Sequence, residues 1–268
     1  MTQKLGQHFL KNKRVAEKII DSVALQDGDV VFEIGPGHGE LTEKLKIETG
    51  NLKVISIEKD EKLYEALKNQ FENNGEIEIV FGDALIKLPL LIEEQKESKY
   101  KVVGNIPYYI TGYLLRVISE LNNKPERTVL MIQKEVAERI TMQPPKMNRL
   151  AASVQFWAKP TIIINVPKED FSPMPKIDSA VILLVKKDNR PACNMEYYYA
   201  AVRALFSQPR KTILNNVYEN IIMEGDSEHK KKKIVTVLEK IKINPQHRPQ
   251  NLSVEDIILI AREFFKVS

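Results

Sequence analysis

The sequence predicts an α/β fold: a mostly parallel sheet covered by helices on both faces, with antiparallel strands at one edge, followed by a small all-helical domain. Three observations predict it. Short apolar runs alternate with helical periodicity over the first half of the chain; the runs after Pro144-Pro145 have no long helix between them; and beyond residue 191 only helical spacing remains. A length of 268 residues exceeds the usual single domain, in keeping with one large and one smaller unit.

With Asn12 as N-cap, Val15, Ala16, Ile19, Ile20 and Val23 recur at helical spacing up to the turn at Asp27-Gly28. Asp29 to Ile34 is a short apolar run into Gly35-Pro36-Gly37-His38-Gly39, after which Leu41, Lys44 and Leu45 resume a helix. Lys53 to Ile57 is the next strand, and Asp60 caps a helix through Leu63, Leu67 and Phe71. Further strands are expected at Ile77 to Phe81, Lys101 to Gly104 and Thr128 to Ile132, with helices after the last two. Ser153 to Trp157, Ile162 to Val166 and Ser179 to Val185 read as strands of hairpin-like, antiparallel character. The polar stretch Lys186 to Pro191 serves as linker, and helices follow at Tyr198 to Phe206, Ile213 to Ile222, Ile234 to Ile241 and Val254 to Phe265. The expected domains are therefore residues 1–187 and 188–268.

Apolar residues at 43% and charged residues at 28% exclude a disordered chain, collagen or a coiled-coil rod. A single cysteine, Cys193, cannot form an internal disulfide, and no clustered Cys and His spacing suggests a zinc site, so no metal is expected. No apolar run approaches the roughly 20 residues of a membrane helix, and the first residues lack the apolar core of a secretion signal, so the expected site of action is the cytoplasm. The net charge of +4 is unevenly spread: residues 1–185 hold 25 Lys+Arg against 26 Asp+Glu, and residues 186–268 hold 15 against 10. The opening 18 residues also lean basic, with Lys4, Lys11, Lys13, Arg14 and Lys18 against Glu17.

The glycine turn sits between a strand and a helix, where open α/β sheets bind nucleoside ligands. Its spacing is Gly-x-Gly-x-Gly; a dinucleotide fingerprint would need glycine at position 40, which is Glu40, and this disfavours a nicotinamide-dependent oxidoreductase. Glycines at Gly35 and Gly37 let the backbone pass close beneath a ligand. Glu33 would repel a pyrophosphate but tolerate a cationic amine. Glu58, ending the next strand, can accept hydrogen bonds from ribose hydroxyls, and Asp83 in Gly82-Asp83-Ala84 can accept one from an adenine amine. Each residue alone has an ordinary structural explanation; together, at successive strand ends, they favour S-adenosylmethionine.

Asn105-Ile106-Pro107-Tyr108 follows the fourth strand at the same sheet edge. An exocyclic aromatic amine is a poor nucleophile because its lone pair is delocalised into the ring. The Asn105 oxygen and a backbone carbonyl at Ile106 or Pro107 can accept its two N–H groups and localise that pair. Pro107 stiffens the turn, and Tyr108 offers a face for stacking, worth about 1–3 kcal/mol per base. In isolation the tetrapeptide would be an ordinary polar turn beside an aromatic.

With these residues the chain resembles the ribosomal RNA adenine N6-dimethyltransferase family. The matches are Gly6-Gln7-His8-Phe9-Leu10, Glu33-Ile34-Gly35-Pro36-Gly37, Asn105-Ile106-Pro107-Tyr108, Gln133 to Glu138, Phe171 to Ala180 and Asn251-Leu252-Ser253. The resemblance implies a Rossmann-like class I methyltransferase domain and a helical RNA-binding domain. It further implies that Gln7, His8 and Leu10 approach the cofactor, that Gly35, Glu58, Asp83 and Ala84 bind it, and that Asn105 holds the target amine with Tyr108 and Phe171 sandwiching the base. Its small-subunit branch dimethylates two adjacent adenines in the 3'-terminal hairpin loop of small-subunit ribosomal RNA, within an immature subunit; the other branch modifies a large-subunit adenine and confers macrolide resistance. The opening motif, Asp178-Ser179-Ala180, Leu205 to Lys211 and Arg248 to Ser253 look more like the small-subunit branch. Pro209 departs from it, replacing the first of a usual arginine pair and leaving Arg210, Lys211 and Arg248 as the RNA-contact candidates, with Lys230 to Lys233 as a further basic run. A ribosome-assembly factor with incidental catalysis is the contrasting reading. The expected state is a monomer.

Overall fold

The computed structural model describes residues 7–48, 52–95, 99–188, 193–221 and 226–265. Gly6 of the opening motif, Lys4, residues 189–191 of the expected linker and Ile222 lie outside the described residues. The chain divides into two compact units, one of Met1–Glu138 with Lys159–Lys186 and one of Arg139–Ala158 with Lys187–Ser268. The expected division at 187/188 takes in only the last of three crossings, since residues 139–158 group with the helical unit.

In the first unit the strands are β1 (Phe9–Leu10), β2 (Val30–Ile34), β3 (Lys53–Glu58), β4 (Ile77–Phe81), β5 (Tyr100–Asn105), β6 (Arg127–Gln133), β7 (Ala158–Val166), β8 (Phe171–Ser172) and β9 (Ser179–Lys186). Seven of them form one sheet in the order β4-β3-β2-β5-β6-β9-β7. The pairs β3–β4, β2–β3, β2–β5 and β5–β6 are parallel, and β9 returns antiparallel to β6. The strand order reverses between β2 and β5, which places a crevice at their carboxyl ends. β2 is buried along its whole length, as a strand covered on both faces must be. At its opposite end the buried Lys101 ammonium donates to Asp29 at 2.5 Å and to the Ala24 carbonyl at 2.6 Å, tying the starts of β2 and β5.

Helix α1 (Lys13–Val23) starts at Asn12, whose side chain accepts from the Arg14 amide at 3.1 Å, and buries the five expected apolar residues. Helices α2 (Glu40–Glu48), α3 (Glu61–Phe71) and α5 (Thr111–Glu120) also follow the sequence reading. One helix was not expected: α4 (Ala84–Glu94) contains Pro89, yet Asp83 caps it through the Leu85 amide at 2.9 Å. Nor was the small ladder in which β1 pairs antiparallel with β8, Phe9 opposite Ser172 and Leu10 opposite Phe171.

In the second unit the expected strand at Ser153 to Trp157 is instead the end of helix α7 (Arg149–Gln155), entered after α6 (Lys134–Thr141). Asn148 caps α7, accepting from Leu150 and Ala151 amides at 3.0 Å. The remaining helices are α8 (Met195–Leu205), α9 (Ile213–Asn220), α10 (Ser227–Lys240) and α11 (Val254–Phe264). The Lys230 to Lys233 run lies inside α10, so that helix begins before the apolar spacing that revealed it. Phe156 stacks on Tyr198 with centroids 3.9 Å apart, and the Tyr198 hydroxyl donates to the Ala152 carbonyl at 2.9 Å. These pairs anchor a core that runs through Leu205, Val217, Leu238 and Ile257.

Candidate active site

A cavity of about 260 Å³ opens at the carboxyl ends of β2, β3, β4 and β5. Of the residues singled out from the sequence, Gln7, His8, Leu10, Gly35, Gly37, Glu58, Asp83, Ala84, Asn105, Pro107 and Tyr108 line it. They come from separate elements because each parallel strand ends in the same crevice.

The glycine turn leaves β2 with positive φ at Gly35 (66°) and Gly37 (64°), a conformation that disfavours any side chain. Phe9 lies over this turn: a Cβ on Gly37 would stand 3.0 Å from its ring, and Phe9 packs on His38 with centroids 4.2 Å apart. Above Gly35 the space is open, with only the Asn105 carbonyl, at 3.9 Å, within reach of a Cβ. Gly104 is the opposite case, where a Cβ would meet the Ile34 carbonyl at 2.6 Å.

Glu58 is buried and held by main-chain donors, Lys59 and Asp60 amides to Oε1 at 2.8 Å and the Gly37 amide to Oε2 at 3.2 Å. Burial pushes its carboxyl above the ordinary value, against those three backbone hydrogen bonds. The carboxylate thus couples the glycine turn to the end of β3. Partial burial opposes ionisation of Asp83, but the Lys59 ammonium at 2.8 Å and the Leu85 amide outweigh it and hold the carboxyl below its usual range.

Asn105 ends β5. Its side-chain amide donates to the His8 carbonyl at 2.9 Å, which leaves its oxygen to accept a ligand N–H. The Tyr108 hydroxyl is bonded to Ser179 Oγ at 2.7 Å, and His8 Nδ1 donates to the Pro173 carbonyl at 2.7 Å. The short β1–β8 ladder and these bonds bring the 7–10 strap, the tetrapeptide turn and the segment after Phe171 together.

Two candidates do not reach the cavity. Glu33 is 1% exposed, and its Oε2 accepts from Thr42 at 2.6 Å and Ser56 at 2.7 Å. It points toward α2 and β3 and does not line the site, so the direct cofactor contact expected of it is corrected to an inner brace. Burial pushes its carboxyl up to about 7, against the two hydroxyl bonds. Phe171 is 2% exposed and belongs to the core, paired through β8 with Leu10. It does not line the cavity. Conversely, Tyr109 and Tyr113 line the cavity and were missed; their one-turn spacing just after the tetrapeptide was the available signal.

Arg210, Lys211 and Arg248 are exposed in the second unit. The Ile213 amide donates to the His247 carbonyl at 2.7 Å and the Leu214 amide to Pro245 at 3.1 Å, bringing their two turns side by side. Lys211 is engaged by Glu219 at 2.6 Å, whereas Arg210 and Arg248 have no ion-pair partner among the described residues. None of the described helices is long and apolar enough to cross a membrane.

A family model described as ribosomal RNA adenine dimethylase matches residues 1–264. The Ribosomal RNA small subunit methyltransferase A of Dehalococcoides mccartyi (strain CBDB1) is 37% identical over 254 residues, covering 94% of this chain and 84% of its own length. Among solved structures, a dimethyladenosine transferase from Plasmodium falciparum superposes with a TM-score of 0.79 at 27% identity, covering 94% of this chain and 96% of that one. The 23S rRNA methyltransferase ErmE gives a TM-score of 0.73 at 21% identity, covering 96% of this chain and 100% of its own, a likeness of fold.

Proposed function

The chain belongs to the ribosomal RNA adenine dimethylase family, and from that premise we propose that it dimethylates two adjacent adenines in the 3'-terminal hairpin loop of small-subunit ribosomal RNA. It has the class I methyltransferase fold and is an S-adenosylmethionine-dependent enzyme acting on small-subunit ribosomal RNA adenines. The terminal hairpin, the adjacent pair, an immature subunit as substrate, a cytoplasmic site and a monomeric enzyme form the finer part of the reading.

The residues present suit the cofactor. Space above Gly35, a fixed carboxylate at Glu58 for ribose hydroxyls, and Asp83 for an adenine amine form one lining, with Ala84 and Leu10 as apolar wall. When bound, the cofactor supplies an electrophilic methyl group. The Lys59 bond occupies one lone pair of Asp83 Oδ2 and leaves others to accept.

One observation carries the reading: the Asn105 amide is anchored on the His8 carbonyl inside the cavity that Glu58 and Asp83 line. That bond fixes the side-chain oxygen as an acceptor, so it and the Ile106 or Pro107 carbonyl can take the two N–H groups of an adenine amine. Held this way, the nitrogen lone pair is turned out of conjugation toward the methyl donor, an effect of positioning. Tyr108, held by Ser179, stacks on the base. No strong base is required, because the nitrogen becomes acidic once methylated and releases its proton to water. The basic turns of the second unit contact RNA phosphates.

The test is transfer of labelled methyl to unmethylated small subunits, with large subunits in parallel and mass mapping of the nucleosides. Dimethyladenosine at the terminal hairpin supports the reading; large-subunit label, or tight subunit binding without transfer, overturns it.

A further inference from the structure

Resting on that reading of the clamp, we propose that Met174 and Ile177 form a wedge that occupies the gap left in the RNA stack when the target adenine enters the site. Both are large apolar side chains left in water, 58% and 43% exposed, on the loop joining β8 to β9. That loop is held firmly. Pro173 accepts from His8 at 2.7 Å, and Ser179 is bonded to the Tyr108 hydroxyl at 2.7 Å. The Asp178 carbonyl accepts from the Lys134 amide at 3.1 Å and its carboxylate from the Lys168 amide at 3.1 Å. Both ends of the loop are therefore bonded to residues of the cavity wall, His8 and Tyr108, and the two exposed side chains lie on the few residues between those ends.

Their chemistry selects the occupant. Nucleobases present apolar faces above and below, and removing one from a stack costs a few kcal/mol. Proteins that unstack bases recover part of that cost by inserting Met or Ile between the neighbours. Exposed Lys176 lies between the two side chains in sequence, giving the loop a cation for the backbone phosphate of the same step. Met174 and Ile177 act as positioning residues, since neither lines the cavity where the amine and cofactor are placed.

The experiment compares wild type with a Met174→Ala, Ile177→Ala double variant, both positions being exposed and so replaceable without disturbing the core. Substrates are unmethylated small subunits assembled with an intact terminal hairpin or with an abasic site beside the target adenine, which removes a stacking neighbour. The variant should lose about tenfold in kcat/KM on intact subunits and stay within about twofold of wild type on the abasic ones. Its cofactor Kd should be unchanged. Equal losses on both substrates, or no loss on either, would overturn the wedge alone. Absence of transfer by wild type would overturn the clamp reading as well.

Discussion

The two units carry their candidate functional groups in opposite ways. In the first, Glu58, Asp83 and Asn105 sit at strand ends with each side chain tied by named hydrogen bonds. In the second, Arg210 and Arg248 stand on exposed turns with no ion-pair partner among the described residues, and Lys211 pairs with Glu219. The difference separates two kinds of work. A group that localises a lone pair must be held to within fractions of an ångström, whereas a cation that neutralises a phosphate acts through water and needs only to be near. Substitution should accordingly be severe in the first unit and graded in the second.

The sharpest way to break this contrast is Asn105→Ala, for which methyl transfer should fall about a thousandfold with RNA and cofactor binding nearly unchanged. A fall of only a few-fold in single-turnover transfer would place Asn105 with the graded group. Next in size is Glu33. Burial pushes its carboxyl up to about 7 in the fold, from an ordinary value of 4.5, so the folded state binds more protons between those values. Its stabilising contribution is complete below the lower value and is lost as pH rises through the higher, on the order of 3 kcal/mol. Denaturant unfolding at pH 5 and pH 8 should show Glu33→Gln flattening that decline; an unchanged slope would mean the carboxyl titrates normally.

Glu58→Gln should weaken cofactor binding about tenfold, with transfer largely recovered at saturating cofactor. Calorimetry reads the affinity, and an unaffected Kd would remove Glu58 from the ribose site. The smallest effects belong to the second unit. Arg210→Ala and Arg248→Ala should each cost a few-fold in RNA affinity and lower the salt slope by about 0.7–0.9. Lys211→Ala should cost less, since Glu219 already engages its charge. A salt titration giving parallel lines for all three would show that these turns do not meet phosphate.

Much of the first unit was legible because parallel strands buried on both faces read as continuous apolar runs, and the caps Asn12 and Asp60 announce their helices. The strand ends then bring Glu58, Asp83 and Asn105 to one edge without further information. Ser153 to Trp157 misled because a short apolar run does not distinguish strand from buried helix; Asn148, the cap five residues earlier, was the discriminating signal. Pro89 hid α4 although Asp83 caps it. Glu33 was misplaced for a different reason: its place on the strand was right, but which way its side chain turns depends on Thr42 and Ser56, on two other elements. Phe171 and the β1–β8 ladder depend on pairing Phe9 with Ser172 and Leu10 with Phe171, far apart in sequence and with two residues a side, too short to leave a pattern.

Gly104 does not line the cavity, yet it governs reach. At that point β5 passes the end of β2 main chain to main chain, close enough that a methyl group would collide with the Ile34 carbonyl. Any larger residue would act as a shim between the strand that ends in the glycine turn and the strand that ends in Asn105. Since a misplacement of about 1 Å can cost about a hundredfold in rate, the gap from donor to acceptor is gauged by hydrogen alone, and an enzyme designer seeking to lengthen it would begin there.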